Sequence, residues 1–67
     1  ESDARLVARK SLVLVLPMPS GSVLRPEDLV AKRPGTGIPP SRLAEVVGRR
    51  LARDVGADSP LGWEDLE

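Results

Sequence analysis

The segment Ser22-Val23-Leu24-Arg25-Pro26-Glu27-Asp28-Leu29 returns as Ser59-Pro60-Leu61-Gly62-Trp63-Glu64-Asp65-Leu66, in the shared form S-x-L-x-x-E-D-L. The register extends backwards, pairing Leu14 with Leu51 and Met18 with Val55. Each copy reads as strand, turn, leucine, acidic helical turn, leucine. One copy has an apolar face that it cannot bury alone. The two are therefore expected to pack together about a pseudo-two-fold axis. Chance is the competing account, because E-D-L is common at helix starts.

The rest of the chain fills in a pattern of short elements. Ser11 to Leu16 is bounded by Lys10 and Pro17 and carries the unbroken apolar run Leu12-Val13-Leu14-Val15-Leu16, which predicts a buried strand. Pro17 to Gly21 is a turn. Pro26-Glu27-Asp28-Leu29 reads as one helical turn, with proline first and carboxylates toward the positive end of the dipole. Val30 to Lys32 is a short strand. Ser41 is a candidate N-cap for a helix that puts Leu43, Val46 and Val47 on one face, and Gly48 stands where a glycine would end it. Leu51 to Val55 reads as another strand, Gly56 to Ser59 as a turn, and Pro60 to Leu66 closes the repeat. Residues 1–9 read as a linker or interdomain segment, and 10–67 as the domain.

With 67 residues the chain is at most one small domain. A chain of that size buries only about 60% of the surface exposed when unfolded, so its stability is expected to be modest. It has no cysteine and no histidine. Disulfides, thiolate metal sites, a histidine base and a Ser-His-Asp triad are therefore excluded within it. Ten basic and ten acidic residues cancel, which argues against nucleic acid or a membrane surface as a partner. No apolar run approaches the roughly 20 residues needed to span a bilayer. A cytoplasmic location is the expectation. The first residue is Glu1, consistent with a piece of a longer protein.

The candidate binding element is Lys32-Arg33-Pro34-Gly35-Thr36-Gly37-Ile38-Pro39-Pro40. Pro34 fixes φ and removes a donor, while Gly35 and Gly37 permit φ > 0. Pro39 and Pro40 hold the exit extended. A stiff segment of this kind displays a side chain from a fixed backbone, as binding loops do. Arg33 is the side chain so displayed. Its fork of five donors suits a carboxylate, a phosphate or an amide oxygen, and the loop would hold it at low entropic cost. On spacing alone, a solvated loop arginine is the simpler account, and the same holds for Lys32.

The remaining polar groups have plain explanations. Glu27 with Asp28, and Glu64 with Asp65, are dipole-facing charges at helix starts rather than acid–base or metal pairs. Arg49, Arg50 and Arg53 form a solvated or salt-bridged face without an aromatic platform for nucleic acid. Trp63, the sole aromatic, is expected to pack on the aliphatic core. Thr36 and Ser41 lack any neighbouring base.

Taken in order, these segments resemble a known family, the SAF or antifreeze-like domain of N-acetylneuraminate (sialic acid) synthases. Arg9-Lys10-Ser11-Leu12 is similar to that family's R-[RK]-S-L opening. Pro19 to Leu24 with Glu27-Asp28-Leu29 is similar to K-G-x-x-[IL]-x-x-[ED]-[DN]-[LIM]. Lys32 to Ile38 is similar to K-R-P-G-x-G-[IL], the most distinctive motif. Val47-Gly48-Arg49, Arg53-Asp54-Val55 and Pro60-Leu61-Gly62-Trp63 continue the pattern. Two departures are Ser20, where lysine is frequent, and Gly56-Ala57-Asp58 in place of x-G-x.

The resemblance implies a mostly β, β-clip fold of short strands and single helical turns with a pseudo-two-fold repeat. It also implies a role. In such synthases a (β/α) barrel with a divalent metal condenses phosphoenolpyruvate with an N-acylmannosamine-type sugar. The small domain swaps across a homodimer and caps the partner subunit's barrel. By motif match, Arg33 would reach the sugar near its N-acyl group, with Pro34, Gly35 and Gly37 positioning the loop. No catalytic residue, metal ligand or cofactor is expected on this chain.

Two alternatives share the fold. Fish type III antifreeze proteins resemble it around Gly37-Ile38-Pro39, which suggests ice binding. Arg25, Pro26, Glu27 and Asp28 place charge where a flat, moderately apolar face would be needed. SAF-like modules also serve as chaperone or interaction domains in pilus and flagellar assembly proteins, generally without the K-R-P-G-x-G-[IL] segment.

Overall fold

A computed structural model describes residues 9–67, so the segment read as a linker lies outside the described residues except for Arg9. β1 (Ser11–Leu14) pairs antiparallel with β2 (Leu29–Lys32). The rungs run from Ser11 opposite Lys32 to Leu14 opposite Leu29. β1 is buried at every position, whereas β2 alternates between half-buried and exposed residues. Single turns of 3-10 helix at Pro26–Asp28, Pro40–Arg42 and Trp63–Asp65 and a four-residue α1 (Leu43–Val46) complete the regular structure. Isolated bridges stitch the remaining segments together, and the domain is mostly β, as expected.

The repeat is structural, and its two halves are related by an offset of 37 residues. Leu14 opposite Leu29 in the first half is matched by Leu51 opposite Leu66 in the second. Val15 donates its amide to the Asp28 carbonyl at 2.9 Å, and Ala52 donates to Asp65 at 2.7 Å. Between halves, the bridge Val13–Pro60 is matched by Val23–Arg50. Leu24 donates to Arg49 and Leu61 to Leu12, both at 2.9 Å. The equivalents Gly21 and Asp58 both have left-handed backbone, with φ of 89° and 64°. Each acidic turn is closed the same way. The Asp28 carboxylate accepts the Arg25 amide at 3.0 Å, and Asp65 accepts that of Gly62 at 2.9 Å. These carboxylates are caps that satisfy amides a short helix leaves open, a more specific role than the dipole-facing charge read from the sequence.

The core sits between the halves. Leu12, Leu14, Leu24, Ile38, Val46, Leu51, Leu61 and Leu66 form one buried cluster, with Met18, Leu29, Leu43 and Val55 packed against it. Of the leucines of both repeats, Leu24, Leu61 and Leu66 belong to it and Leu29 packs against it. This is the arrangement that a pair of one-sided units requires.

Several expected elements are shorter or placed differently. β1 stops at Leu14, and Val15 and Leu16 are exposed. Pro17 has no amide with which to extend the ladder. Leu51 to Val55 is not a strand. Leu51 donates to Ser22, accepts from Gly21 and bridges to Leu66, so its backbone divides among three neighbours and no single ladder propagates. Ser41 is not an N-cap. It lies inside the Pro40–Arg42 turn, Arg42 takes the cap position of α1, and neither that turn nor α1 has a side-chain cap. Val47 leaves the helix in extended conformation, and Gly48 follows at φ 91°, the left-handed residue that ends it. Trp63 does not join the core. At the first position of its turn, equivalent to exposed Pro26, it is 42% exposed, with the Arg49 guanidinium 6.0 Å from the ring centroid.

Candidate functional site

The loop after β2 is pinned at both ends by groups far away in sequence. Ser11, fully buried, donates its hydroxyl to the Pro34 carbonyl at 2.5 Å and accepts the Gly37 amide at 2.9 Å. One residue further on, three backbones close a ring of hydrogen bonds. Leu12 donates to Ile38 at 2.8 Å, Ile38 to Leu61 at 2.7 Å and Leu61 back to Leu12 at 2.9 Å. All three side chains are in the core. The ring fixes where the loop ends, and Ser11 fixes how residues 34–37 fold back.

Gly37 is required here for space. A Cβ built at this position would overlap the Leu61 carbonyl oxygen and touch the Pro60 side chain. Gly35 and Gly37 do not use the φ > 0 that glycine permits: among the described residues the glycines at positive φ are Gly21 and Gly48. The close approach of two backbones, rather than left-handed geometry, calls for the glycine at 37. The Arg33–Pro34 peptide bond is cis.

Before the loop, Lys32 pairs with Asp58 at 2.6 Å between exposed side chains. Arg33 is exposed and, among the described residues, forms no hydrogen bond or ion pair. Pro34 and Thr36 are also exposed, whereas Gly35 and Gly37 are half-buried. The site is therefore a loop tethered at Pro34, Gly37 and Ile38, with a guanidinium at its neck that engages no other described residue. A guanidinium so held can donate two parallel hydrogen bonds to a planar acceptor without first being freed from a partner.

The surroundings contribute surface but no catalytic apparatus. A cleft of ≈ 560 Å³ lined by Arg9, Lys10, Pro39, Pro40 and Ser41 flanks the loop's exit. A second cleft of ≈ 400 Å³, lined by Pro17, Met18, Pro19, Asp54, Val55 and Gly56, lies where the two halves meet. Of the basic cluster, Arg53 pairs with Asp65 at 2.6 Å, and Arg49 donates to the Glu67 carbonyl at 3.0 and 2.7 Å. That is the structural role expected of those two. The Arg42 guanidinium, bonded to Glu45 at 2.6 Å, is held above its ordinary pKa by that hydrogen bond and by the carboxylate's charge. Among the described residues no helix is long and apolar enough to cross a membrane.

Sequence reasoning named Arg33, Pro34, Gly35 and Gly37 but gave Ser11 no role beyond starting a strand. A serine at the head of an otherwise apolar buried run was the available signal. Such a hydroxyl needs partners, and the nearest groups without ladder partners are those of the loop.

Comparison with known proteins agrees with this architecture. The chain is 39% identical over its full length to the N,N'-diacetyllegionaminic acid synthase of Legionella pneumophila, of which it covers 19%. It is 32% identical over 66 residues to an uncharacterized protein of Methanocaldococcus jannaschii, covering 98% of this chain and 20% of that one. The chain thus spans about a fifth of the length of these curated relatives. Residues 9–67 match the SAF domain, and with the repeat, the core and the loop all lying inside that span, the chain belongs to the SAF domain family.

Proposed function

We propose that this domain caps the active site of a sialic acid synthase-type enzyme that condenses phosphoenolpyruvate with an N-acylmannosamine-type sugar. In this reading Arg33 reaches the sugar bound in the barrel of the partner subunit of a homodimer. The observation that carries it is the contrast within the loop: its backbone is tethered at Pro34, Gly37 and Ile38, while the Arg33 guanidinium has no partner among the described residues. A donor fork kept free on a rigid support matches what a polar, N-acylated substrate requires. Fixing the backbone beneath it in advance lowers the entropy lost when the substrate binds. The name of the Legionella relative specifies an N,N'-diacetylated acid, which supports an acylated sugar as the substrate class.

The cap orients the sugar and excludes water, and bond making belongs to the rest of the enzyme. The divalent metal of such enzymes does not fit the described residues, because no three carboxylates among them converge as a ligand set. No step is therefore derived through it. A cytoplasmic location follows from the biosynthetic role. Ice binding is not favoured, since Arg25 and Glu27 are exposed and lie 4.0 Å apart on the face it would use.

The test is Arg33→Ala in the full-length protein that carries this domain. Loss of a charge-assisted contact worth roughly 1.5–3 kcal/mol lowers kcat/KM for the sugar by about 10- to 150-fold with the fold intact. An unchanged kcat/KM for the sugar removes Arg33 from the site. If the native protein proves to be no larger than 7.2 kDa and shows thermal hysteresis at micromolar concentration, the capping reading gives way to ice binding.

A further inference from the structure

We propose that Ser11 is a positioning residue for Arg33, setting the direction in which the guanidinium is presented to the acylated sugar. The inference rests on the capping function proposed above.

Ser11 is the one polar residue among the buried described residues, at 0% exposure. A hydroxyl has one proton and two lone pairs. Here the proton goes to the Pro34 carbonyl at 2.5 Å, and a lone pair takes the Gly37 amide at 2.9 Å. Both bonds reach across the chain, to residues 23 and 26 positions away. The two loop groups flank Gly35 and Thr36, so one oxygen cross-links the base of the loop. Pro34 is joined to Arg33 by a planar peptide and has its φ fixed by the ring, so anchoring the Pro34 carbonyl restricts the backbone that carries the Arg33 side chain.

A serine retained for core stability alone would be poorly chosen. Both of its partners are loop groups, and in an open loop water could satisfy them. An alanine at this position would then leave no unsatisfied partner, while the apolar neighbours Leu12 and Val13 stayed packed. The hydroxyl is needed for the closed form of the loop. Lys32, opposite Ser11 in the sheet register, pairs with Asp58 at an exposed position, so the buried Ser11 hydroxyl is the stronger tether at the loop's start.

The experiment uses the full-length protein and the variants Ser11→Ala, Arg33→Ala and the double variant. Hydrogen exchange measured by mass spectrometry reports on residues 33–38, and steady-state kinetics report on each substrate. Ser11→Ala is expected to speed exchange in the loop about tenfold, with the rest of β1 and β2 unchanged. It should raise KM for the N-acylated sugar several-fold and leave KM for phosphoenolpyruvate as it was. On the Arg33→Ala background the same substitution should have no further effect on sugar KM, because neighbours acting through one group are non-additive. Unchanged loop exchange overturns the proposal, and so does an undiminished kinetic effect of Ser11→Ala without Arg33. Arg33→Ala on its own tests the capping function: if it is silent while loop exchange still responds to Ser11→Ala, the function has failed and the tether has not. If Ser11→Ala does not fold, Ser11→Cys keeps the shape with a weak donor and acceptor, and loop exchange at the wild-type rate in that variant overturns the proposal.

Discussion

Met18 and Val55 donate to each other, amide to carbonyl, at 2.9 and 3.0 Å, and each occupies in its own half the position that the other occupies in its half. A residue bonded to its own equivalent lies on the symmetry axis, so the pseudo-two-fold axis passes through this bridge. Elsewhere the contacts come in related pairs, which is why so small a chain has one shared core. The site does not share this symmetry. Its loop lies off the axis, clamped by the backbones of Leu12, Ile38 and Leu61.

Equivalent leucines should be equivalent in energy. Leu24 and Leu61 are 1% and 0% exposed in the same cluster. Each truncation to alanine is expected to cost about 2–5 kcal/mol. For a domain of this size that is a large part of its stability. Urea unfolding should show both midpoints falling by similar amounts, and a clear inequality would mean that the halves do not share the core evenly.

Gly37→Ala and Gly56→Ala should separate cleanly. The new methyl at 37 meets the Leu61 carbonyl, a backbone atom that is itself bonded to Ile38, whereas at 56 nothing lies within 4 Å. The first is expected to cost roughly 1–3 kcal/mol. The second, at ordinary φ, should be neutral or stabilising by up to about 1 kcal/mol. Thermal melts of the two variants decide this, with each kcal/mol shifting Tm by about 4–8 °C.

Asp58 combines a left-handed backbone, φ 64°, with an exposed ion pair to Lys32. Asp58→Gly relieves the backbone and removes the pair, whose contribution is about 0–1 kcal/mol. Its stability should stay within about 1 kcal/mol of the parent. Asp58→Ala loses the pair and keeps the unfavourable φ, so it should fall roughly 1 kcal/mol below Asp58→Gly. Equal stabilities in chemical denaturation would show that residue 58 is not held left-handed.

Trp63, at 42% exposure beside Arg49, should report on the surface rather than the core. Its fluorescence is expected to be readily quenched by acrylamide in the folded protein and to change little in wavelength on unfolding. A strongly blue-shifted, protected emission would place the ring inside.

The legible part of this protein was whatever local chemistry decides. The duplicated S-x-L-x-x-E-D-L gave the pseudo-two-fold architecture, because a leucine on each side of an acidic turn has the same needs wherever it occurs. Pro26 at a first helical position and the dipole-facing Asp28 and Asp65 marked their turns, and Arg33-Pro34-Gly35 marked the loop. What the sequence could not show was partner choice. Whether Leu51 extends a ladder or divides its bonds among Ser22, Gly21 and Leu66 depends on which backbones lie within reach. Trp63 faces outward because it takes the first position of its turn, the outward position that exposed Pro26 takes in the other half. Ser11 is the clearest case. Its hydroxyl has no local partner and acquires its role only when folding brings Pro34 and Gly37 to it. Local propensities therefore determined the acidic turns, the heart of the first strand and the loop that exposes the arginine. The tertiary structure alone decided what holds that arginine in place, because hydrogen bonds between distant residues exist only once the chain has closed on itself.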